Sequence, residues 1–102
     1  MKIVITPEAH NDIAAIREFI SQDNARMGDK VAIEIYDNME RLEQFPKSGK
    51  ELSVITSRKT DLRYITTYDY ATIYRIDKNI VYIIAVIHTS RSFNKLEFDS
   101  KN

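Results

Sequence analysis

The chain has 102 residues, a length that suits one domain built around a single hydrophobic core. Hydrophobic residues make up 43% and charged residues 29%, which is typical of a folded globular protein and excludes a disordered one. No apolar run approaches the roughly 18 residues of a membrane span, and the absence of Cys excludes disulfides, thiolate nucleophiles and Cys-based metal sites. From this length we expect a single domain, residues 1–102. From the absence of Cys, together with the lack of an apolar leader at the N-terminus, we expect the reducing cytoplasm as its location.

The charges are balanced overall but not along the chain. The chain has fifteen Lys and Arg and fifteen Asp and Glu, and this zero net charge argues against a protein that binds nucleic acid without sequence preference. Residues 1–45 hold five bases and nine acids, a balance of −4, so residues 46–102 carry ten bases and six acids, or +4. We therefore expect an anionic partner to bind the C-terminal half.

The N-terminal half predicts a strand and two amphipathic helices. Residues 2–6 alternate as in a short strand, after which Thr6 can cap a helix that begins at Pro7. Asn24 is a plausible cap for a second helix, which Pro46 and Gly49 close. The apolar residues of both helices recur at helical spacing: Ala9, Ile13, Ile16 and Ile20 in the first, and Val31, Ile35, Met39 and Leu42 in the second. This pattern buries one face of each helix and leaves Glu8, Asp12, Arg17 and Glu18 mostly toward water. We expect an antiparallel helical hairpin.

The C-terminal half predicts strands. Residues 62–67, 71–76 and 80–87 are rich in Tyr, Ile, Val and Thr, and the polar link at 77–79 indicates a β-hairpin. Residues 47–59 form a polar connection with room for another short strand. The predicted fold is α+β: an N-terminal strand, an antiparallel two-helix hairpin, then an antiparallel β-meander packed against the helices, all in one antiparallel sheet.

Few residues suit catalysis. The motifs of P-loop, dinucleotide-binding, zinc-peptidase and serine-hydrolase proteins are missing, and two histidines without Cys suggest neither a metal site nor a cofactor. His10 lies on the acidic first helix and reads as a solvated surface residue. His88 ends the most apolar strand, three residues before Arg91, so it is either a proton-transfer group beside a cation or a strand-end histidine bonded to backbone.

The arginines and tyrosines of the strands also allow two interpretations. Arg63 beside Tyr64 can clamp a phosphate or pair with a nearby acid, and Arg75 can act in binding or form a cross-strand ion pair. The tyrosines suit sheet packing as well as base stacking. We expect Arg63, His88 and Arg91 to converge into one positive hollow at the end of the sheet. The residues expected to contact a target are Tyr74, Arg75, Lys59 and Arg58.

The order of elements and the tail motif resemble the RelE/ParE superfamily of toxins from bacterial type II toxin–antitoxin systems. The likeness rests on an early "Ala…Asp-Ile…Ile" at Ala9, Asp12-Ile13 and Ile16, and on a second helix that starts after Asn24 and ends with Leu42, Pro46 and Gly49. It continues through Leu62-Arg63, Tyr70, Tyr74-Arg75-Ile76, Ile83 and Val86 to His88 and Arg91.

The resemblance implies a growth-inhibiting toxin that a cognate antitoxin neutralises by wrapping a C-terminal segment around it. RelE-like members cleave messenger RNA on the ribosome with Lys and Arg residues, whereas ParE-like members bind DNA gyrase and perform no known chemistry. We expect the antitoxin to lay an amphipathic helix or an added strand over the Tyr-rich strands.

The sequence departs from the RelE-type site at two positions. Ala71 follows Tyr70 where that site has Arg, and Ser92 stands where many relatives have Asp. A missing catalytic Arg removes stabilisation of a phosphoryl transition state, which favours the ParE-like interpretation. Two alternatives remain: an endoribonuclease in which His88 acts with Arg63 and Arg91, and an inactive relative that binds only the antitoxin.

Overall fold

The computed structural model describes residues 1–52 and 61–90. Its elements, in chain order, are strand β1 (Lys2–Ile5), helices α1 (Pro7–Ser21) and α2 (Ala25–Glu40), a 3₁₀ turn (Arg41–Glu43), and strands β2 (Lys50–Glu51), β3 (Leu62–Thr67), β4 (Tyr70–Asp77) and β5 (Ile80–His88). The strands form one five-stranded sheet in the order β1-β5-β4-β3-β2. The predicted α+β fold is confirmed.

Both helices begin at the caps that the sequence predicted. The Thr6 side chain accepts a hydrogen bond from the Ala9 N–H at 3.2 Å, and Asn24 Oδ1 accepts one from the Met27 N–H at 3.0 Å. Each cap satisfies a backbone donor that has no partner within its own helix. Pro7 stands at the first position of α1, where a missing N–H costs nothing.

The two helices run antiparallel and cross closely near their connection. His10 on α1 meets Tyr36 on α2, while Arg17, two turns later on α1, pairs with Asp29, about two turns earlier on α2. Gly28 permits the close crossing, because a Cβ there would clash with the Ser21 side chain and lie 2.7 Å from the Arg17 carbonyl oxygen. Glycine at position 28 lowers the helix propensity of α2, but its lack of a side chain allows the close contact with α1.

Strands β3, β4 and β5 form the predicted meander, and β2 pairs antiparallel with β3. Lys78 in the β4–β5 turn and Tyr68 in the β3–β4 turn have positive φ values of 57° and 52°. The sheet is not wholly antiparallel as expected, because β1 lies parallel to β5 with Lys2 opposite Ile80. Two parallel strands need a long crossover connection between them. The connection from β1 to β5 begins with the two helices.

The core lies between the helices and one face of the sheet. Its buried side chains include Ile13, Ile35, Met39 and Leu42 on the helical side and Tyr74, Val81, Ile83 and Val86 on the strands. Among the described residues, no helix is both long and apolar enough to cross a membrane.

Candidate functional site

His88 lies exposed at the end of β5, opposite Tyr70 at the start of β4. The two rings meet edge to face, with centroids 5.2 Å apart. The Ser90 backbone N–H donates to His88 Nδ1 at 3.0 Å, and the Ser90 hydroxyl lies 2.8 Å from the same nitrogen. An N–H group donates only to an unprotonated nitrogen, so this contact fits the tautomer of the neutral ring that carries its proton on Nε2. This is the geometry of a strand-end histidine held by its own turn.

A groove of about 380 Å³ runs between α1 and the end of β5. Apolar side chains dominate its walls, together with one carboxylate and one imidazole: Asp12, Ala15, Ile16, Phe19, Tyr70, Val86, Ile87 and His88. Phe19 is 68% exposed. A large aromatic side chain in water beside a concave apolar surface is typical of a protein-binding site. We call this feature the α1–β5 groove.

The groove follows an open edge of the sheet. β1 ends opposite Ile83, so within residues 1–52 and 61–90 no strand flanks the rest of β5 on that side. Asp12 Oδ2 accepts a hydrogen bond from the Val86 N–H at 2.9 Å, and Thr6 Oγ1 donates to the Ile84 carbonyl at 3.3 Å. These side chains supply partners that a neighbouring strand would otherwise provide.

Arg63 binds the chain segment that leads into β2. Its Nη1 donates to the Gly49 carbonyl at 2.9 Å and to the Lys47 carbonyl at 3.4 Å, and its Nη2 lies 3.5 Å from the Glu51 carboxylate. The side chain is only 20% exposed. With these donors engaged inside the fold, the guanidinium is poorly placed to clamp a phosphate.

Tyr74 was predicted to contact a target, and its burial corrects that prediction. The side chain has no exposed surface, and its hydroxyl donates to the Pro46 carbonyl at 2.7 Å and accepts from the Gly49 N–H at 3.0 Å. Burial raises the pKa of Tyr74, with the Gly49 hydrogen bond and the Arg63 charge acting in the opposite direction. Tyr74 therefore anchors the 46–49 turn.

The structure does not bring Arg63 and His88 together. Arg63 lies opposite Tyr74 on β4, whereas His88 lies opposite Tyr70, four residues earlier on the same strand. At about 3.3 Å per residue these positions are about 13 Å apart along β4. The two side chains thus belong to different ends of the sheet, and the expected hollow does not form around them. Arg91, its third member, lies outside the described residues.

Arg75 lies on the sheet face away from the helices, because it follows the core-facing Tyr74 directly on β4. Its guanidinium carbon is 4.8 Å from the centroid of the Tyr82 ring, and Nη1 is 3.7 Å from Asp77. The ion pair is therefore within one strand rather than across strands. The side chain remains 37% exposed, so its role in target binding stays a prediction. The other two predicted contacts, at positions 58 and 59, lie outside the described residues.

Position 71, where the RelE-type site has Arg, is completely buried as Ala71. The Ala71 side chain therefore offers no surface to a substrate. Within the described ranges, no group of three His, Asp or Glu side chains is placed to hold a metal ion.

Two residues of the α1–β5 groove were missed from the sequence. Asp12 was expected to face water, but it is half-buried and bonds to Val86; Phe19 was not singled out. The signal was present, since Asp12, Ile16 and Phe19 recur at spacings of four and three and so form a second stripe on α1. His10 is exposed as expected, although its Nδ1 lies 2.7 Å from the Tyr36 hydroxyl.

Comparisons with known proteins agree with this architecture. Residues 3–93 match the family model described as "ParE toxin of type II toxin-antitoxin system, parDE". No significant match is found among curated proteins. A solved structure described as "Chromosomal ParDE TA system from P. aeruginosa" is 18% identical, with a TM-score of 0.71 over 86% of this chain and 95% of that chain, a likeness that shows a shared fold. The match to the family model confirms the resemblance seen in the motifs, and the chain belongs to the ParE family of type II toxins.

Proposed function

We propose that this ParE-family toxin arrests growth in the cytoplasm by binding DNA gyrase, without chemistry of its own. The observation that carries the proposal is the ParE family match over residues 3–93, because gyrase binding is what the ParE resemblance implies. The toxin–antitoxin family also supports a cognate antitoxin as its partner in the resting cell.

The geometry supports binding in preference to RNA cleavage. A phosphodiester-cleaving site needs its acid, base and cations around one scissile phosphate. Here the Arg63 guanidinium is engaged with carbonyls, His88 is bonded to its own turn, and their strand positions are about 13 Å apart by strand geometry. Arg63 and His88 therefore do not lie around one common phosphate position.

The α1–β5 groove is the proposed seat of the antitoxin. An apolar segment can cover the exposed Phe19 ring. An extended one can also pair with β5 beyond Ile83, where no strand of residues 1–52 and 61–90 flanks it, in place of the Asp12 and Thr6 side chains that bond to the Val86 N–H and the Ile84 carbonyl. In the proposed position the antitoxin lies near Tyr70, at one end of the Tyr-rich strands, and also contacts α1. A cationic side chain of the antitoxin would find the Asp12 carboxylate at the groove wall.

The gyrase proposal is tested by DNA supercoiling with purified gyrase and purified toxin. We expect supercoiling to fall as the toxin concentration rises, while RNA ends mapped after induction stay unchanged. Normal supercoiling at an excess of toxin, together with new RNA ends, would favour the endoribonuclease alternative. Normal growth on induction without antitoxin would favour the inactive relative.

The antitoxin seat is tested by replacing Phe19 with Asp. A charge on this rim should weaken antitoxin binding at least tenfold, because the groove then buries a carboxylate. The matched control is Phe45→Asp, since Phe45 is 62% exposed and lies outside the groove. Calorimetric titration of the antitoxin into each variant measures the difference. Equal affinities for the two variants would exclude the groove.

A further inference from the structure

The face of the sheet that points away from the helices carries buried apolar side chains of its own. Because Tyr74 belongs to the core against the helices and side chains alternate along a strand, Ala71 and Ile73 point to the opposite face of β4. Both residues are 0% exposed. We call this opposite side of β3, β4 and β5 the outer face.

The sheet itself does not explain why Ile73 is completely buried. Strand register places Tyr64 of β3 and Ala85 of β5 on either side of Ile73. Such neighbours stand beside a side chain, about 5 Å away, and leave its outer end open. Leu52, directly after β2, lies two strands away from β4, and both helices pack on the other face. The burial of Ile73 therefore requires a further chain segment over the outer face.

Two segments outside the described residues are candidates, and they start from different places. Residues 53–60 connect β2 to β3, at the edge of the sheet and at the end of β4 that is remote from Ala71. Residues 91–102 follow β5, whose last residue, His88, lies opposite Tyr70, the residue before Ala71. The C-terminal segment therefore begins beside the buried part of the outer face.

Residues 91–102 also have the length and the composition for this role. Twelve extended residues span up to about 40 Å, whereas β3 lies only about 10 Å from β5 across β4. The segment contains three large apolar residues, Phe93, Leu96 and Phe98, among polar and charged ones. Residues 53–60 contain two aliphatic residues and no aromatic one. Length and apolar content both favour the C-terminal segment.

We propose that residues 91–102 fold back over the outer face, where their three large apolar side chains cover Ala71 and Ile73 and form a second, smaller core. A sheet with apolar residues on both faces needs a covering layer on each of them. The match to the ParE family model ends at residue 93, so most of this cover lies beyond the part of the chain that the family model describes. The outer face of the Tyr-rich strands is then occupied by the toxin itself, which leaves the α1–β5 groove to the antitoxin.

Thiol labelling tests the proposal in the full chain, which has no native Cys. Ile73→Cys places one thiol on the outer face, and Ile83→Cys places one in the core against the helices; both isoleucines are 0% exposed, on neighbouring strands. The reaction of each thiol with a water-soluble disulfide reagent is timed, with and without the combined changes Phe93→Ser, Leu96→Ser and Phe98→Ser. We expect these changes to raise the labelling rate of Ile73→Cys at least tenfold more than that of Ile83→Cys, because only the outer face loses its cover.

Four results would overturn the proposal. An equal rise at both thiols would mean that the serine changes act through global unfolding alone. Fast labelling of Ile73→Cys in the otherwise unaltered chain would mean that the outer face is open. If Val54→Ser with Ile55→Ser exposes this thiol selectively and the C-terminal changes do not, residues 53–60 are the cover. Protection of the thiol that is lost on dilution would assign the outer face to a second copy of the chain.

A second measurement needs no introduced cysteine. Phe93→Ser combined with Phe98→Ser should lower the melting temperature by about 10 °C, because two phenyl rings lose their buried positions. The matched control is Phe45→Ser, since Phe45 is 62% exposed, and it should lower the melting temperature by less than about 2 °C. Equal melting temperatures of these variants would contradict a docked C-terminal segment.

Discussion

Strand β4 carries two tyrosines, four residues apart on the core face of the sheet, and their surroundings differ. At the Tyr74 end, the hydroxyl bonds to the 46–49 turn and the neighbouring Arg63 guanidinium binds carbonyls of the same segment. At the Tyr70 end, His88 is exposed and the α1–β5 groove lies open beside it. At the Tyr74 end, another chain segment covers the side chains, and they stabilise the fold. At the Tyr70 end, none of the described residues covers them, and similar side chains form an accessible surface.

The largest expected effect is at the Tyr74 end, in Gly49→Ala. The added Cβ would lie 2.5 Å from the Tyr74 hydroxyl oxygen and 2.7 Å from the Tyr64 carbonyl oxygen, so the turn must move and its hydrogen bonds must lengthen. We expect the free energy of unfolding to fall by about 3 kcal/mol, as in overpacked cores. Urea denaturation measures it. Ser48→Ala, one residue away on the exposed side of the turn, should change stability by less than about 0.5 kcal/mol. Equal stability of the two variants would mean that the turn does not depend on Tyr74.

The next effect compares the two tyrosines directly. Tyr74→Phe removes the acceptor of the Gly49 N–H and the donor to the Pro46 carbonyl, and should lower the free energy of unfolding by about 2 kcal/mol. Tyr70→Phe, at the open end, should lower it by less than about 0.5 kcal/mol. Denaturation of both variants at pH 7 tests the contrast. Similar losses would show that the two ends are equally built into the fold.

The same pair of variants has a pH dependence of known sign. Burial raises the pKa of Tyr74, and burial together with the Asp69 charge raises the pKa of Tyr70. A raised pKa means that the folded protein holds the phenol proton more tightly, so this stabilisation is complete below about pH 10 and is lost as pH rises through the folded value. The stability advantage of the unaltered chain over Tyr74→Phe should therefore shrink above pH 10. An advantage that grows there would contradict the burial argument.

The sequence predicted the elements well because their signals are local. Caps at Thr6 and Asn24, the apolar stripes of the helices and the turn at 77–79 each depend on residues close in the chain. The grouping of Arg63 with His88 failed because it depends on strand register, which follows from long-range packing. The parallel pairing of β1 was missed for the same reason. Burial of Tyr74 was equally invisible, since it requires the 46–49 turn to fold back on β4.

A smaller effect, of opposite sign, is expected midway between the two ends. Thr72 is completely buried on β4, and no partner for its hydroxyl exists among the described residues. Thr72→Val keeps the shape and removes the unsatisfied group, so stability should rise by about 1 kcal/mol. The matched control is Thr67→Val, because Thr67 is also buried but accepts a hydrogen bond from Asn38 at 2.7 Å. Thr67→Val should lower the free energy of unfolding by about 1 kcal/mol. Denaturation curves of the two variants that shift in the same direction would contradict this assignment.

The smallest expected effect is at the open end, in His88→Ala. The imidazole is exposed, its hydrogen bonds are with Ser90 of its own turn and its ring meets the Tyr70 ring edge to face, so stability should change by less than about 0.5 kcal/mol. If the toxin acts by binding gyrase without chemistry of its own, growth arrest and inhibition of supercoiling should also be unchanged. If His88 transfers protons during RNA cleavage, toxicity should fall by 10²-fold or more while the fold stays intact. Growth is measured at increasing levels of induction for the genes of the unaltered toxin and of His88→Ala. A His88→Ala toxin that folds but no longer arrests growth would favour a catalytic role for the open end over a binding role.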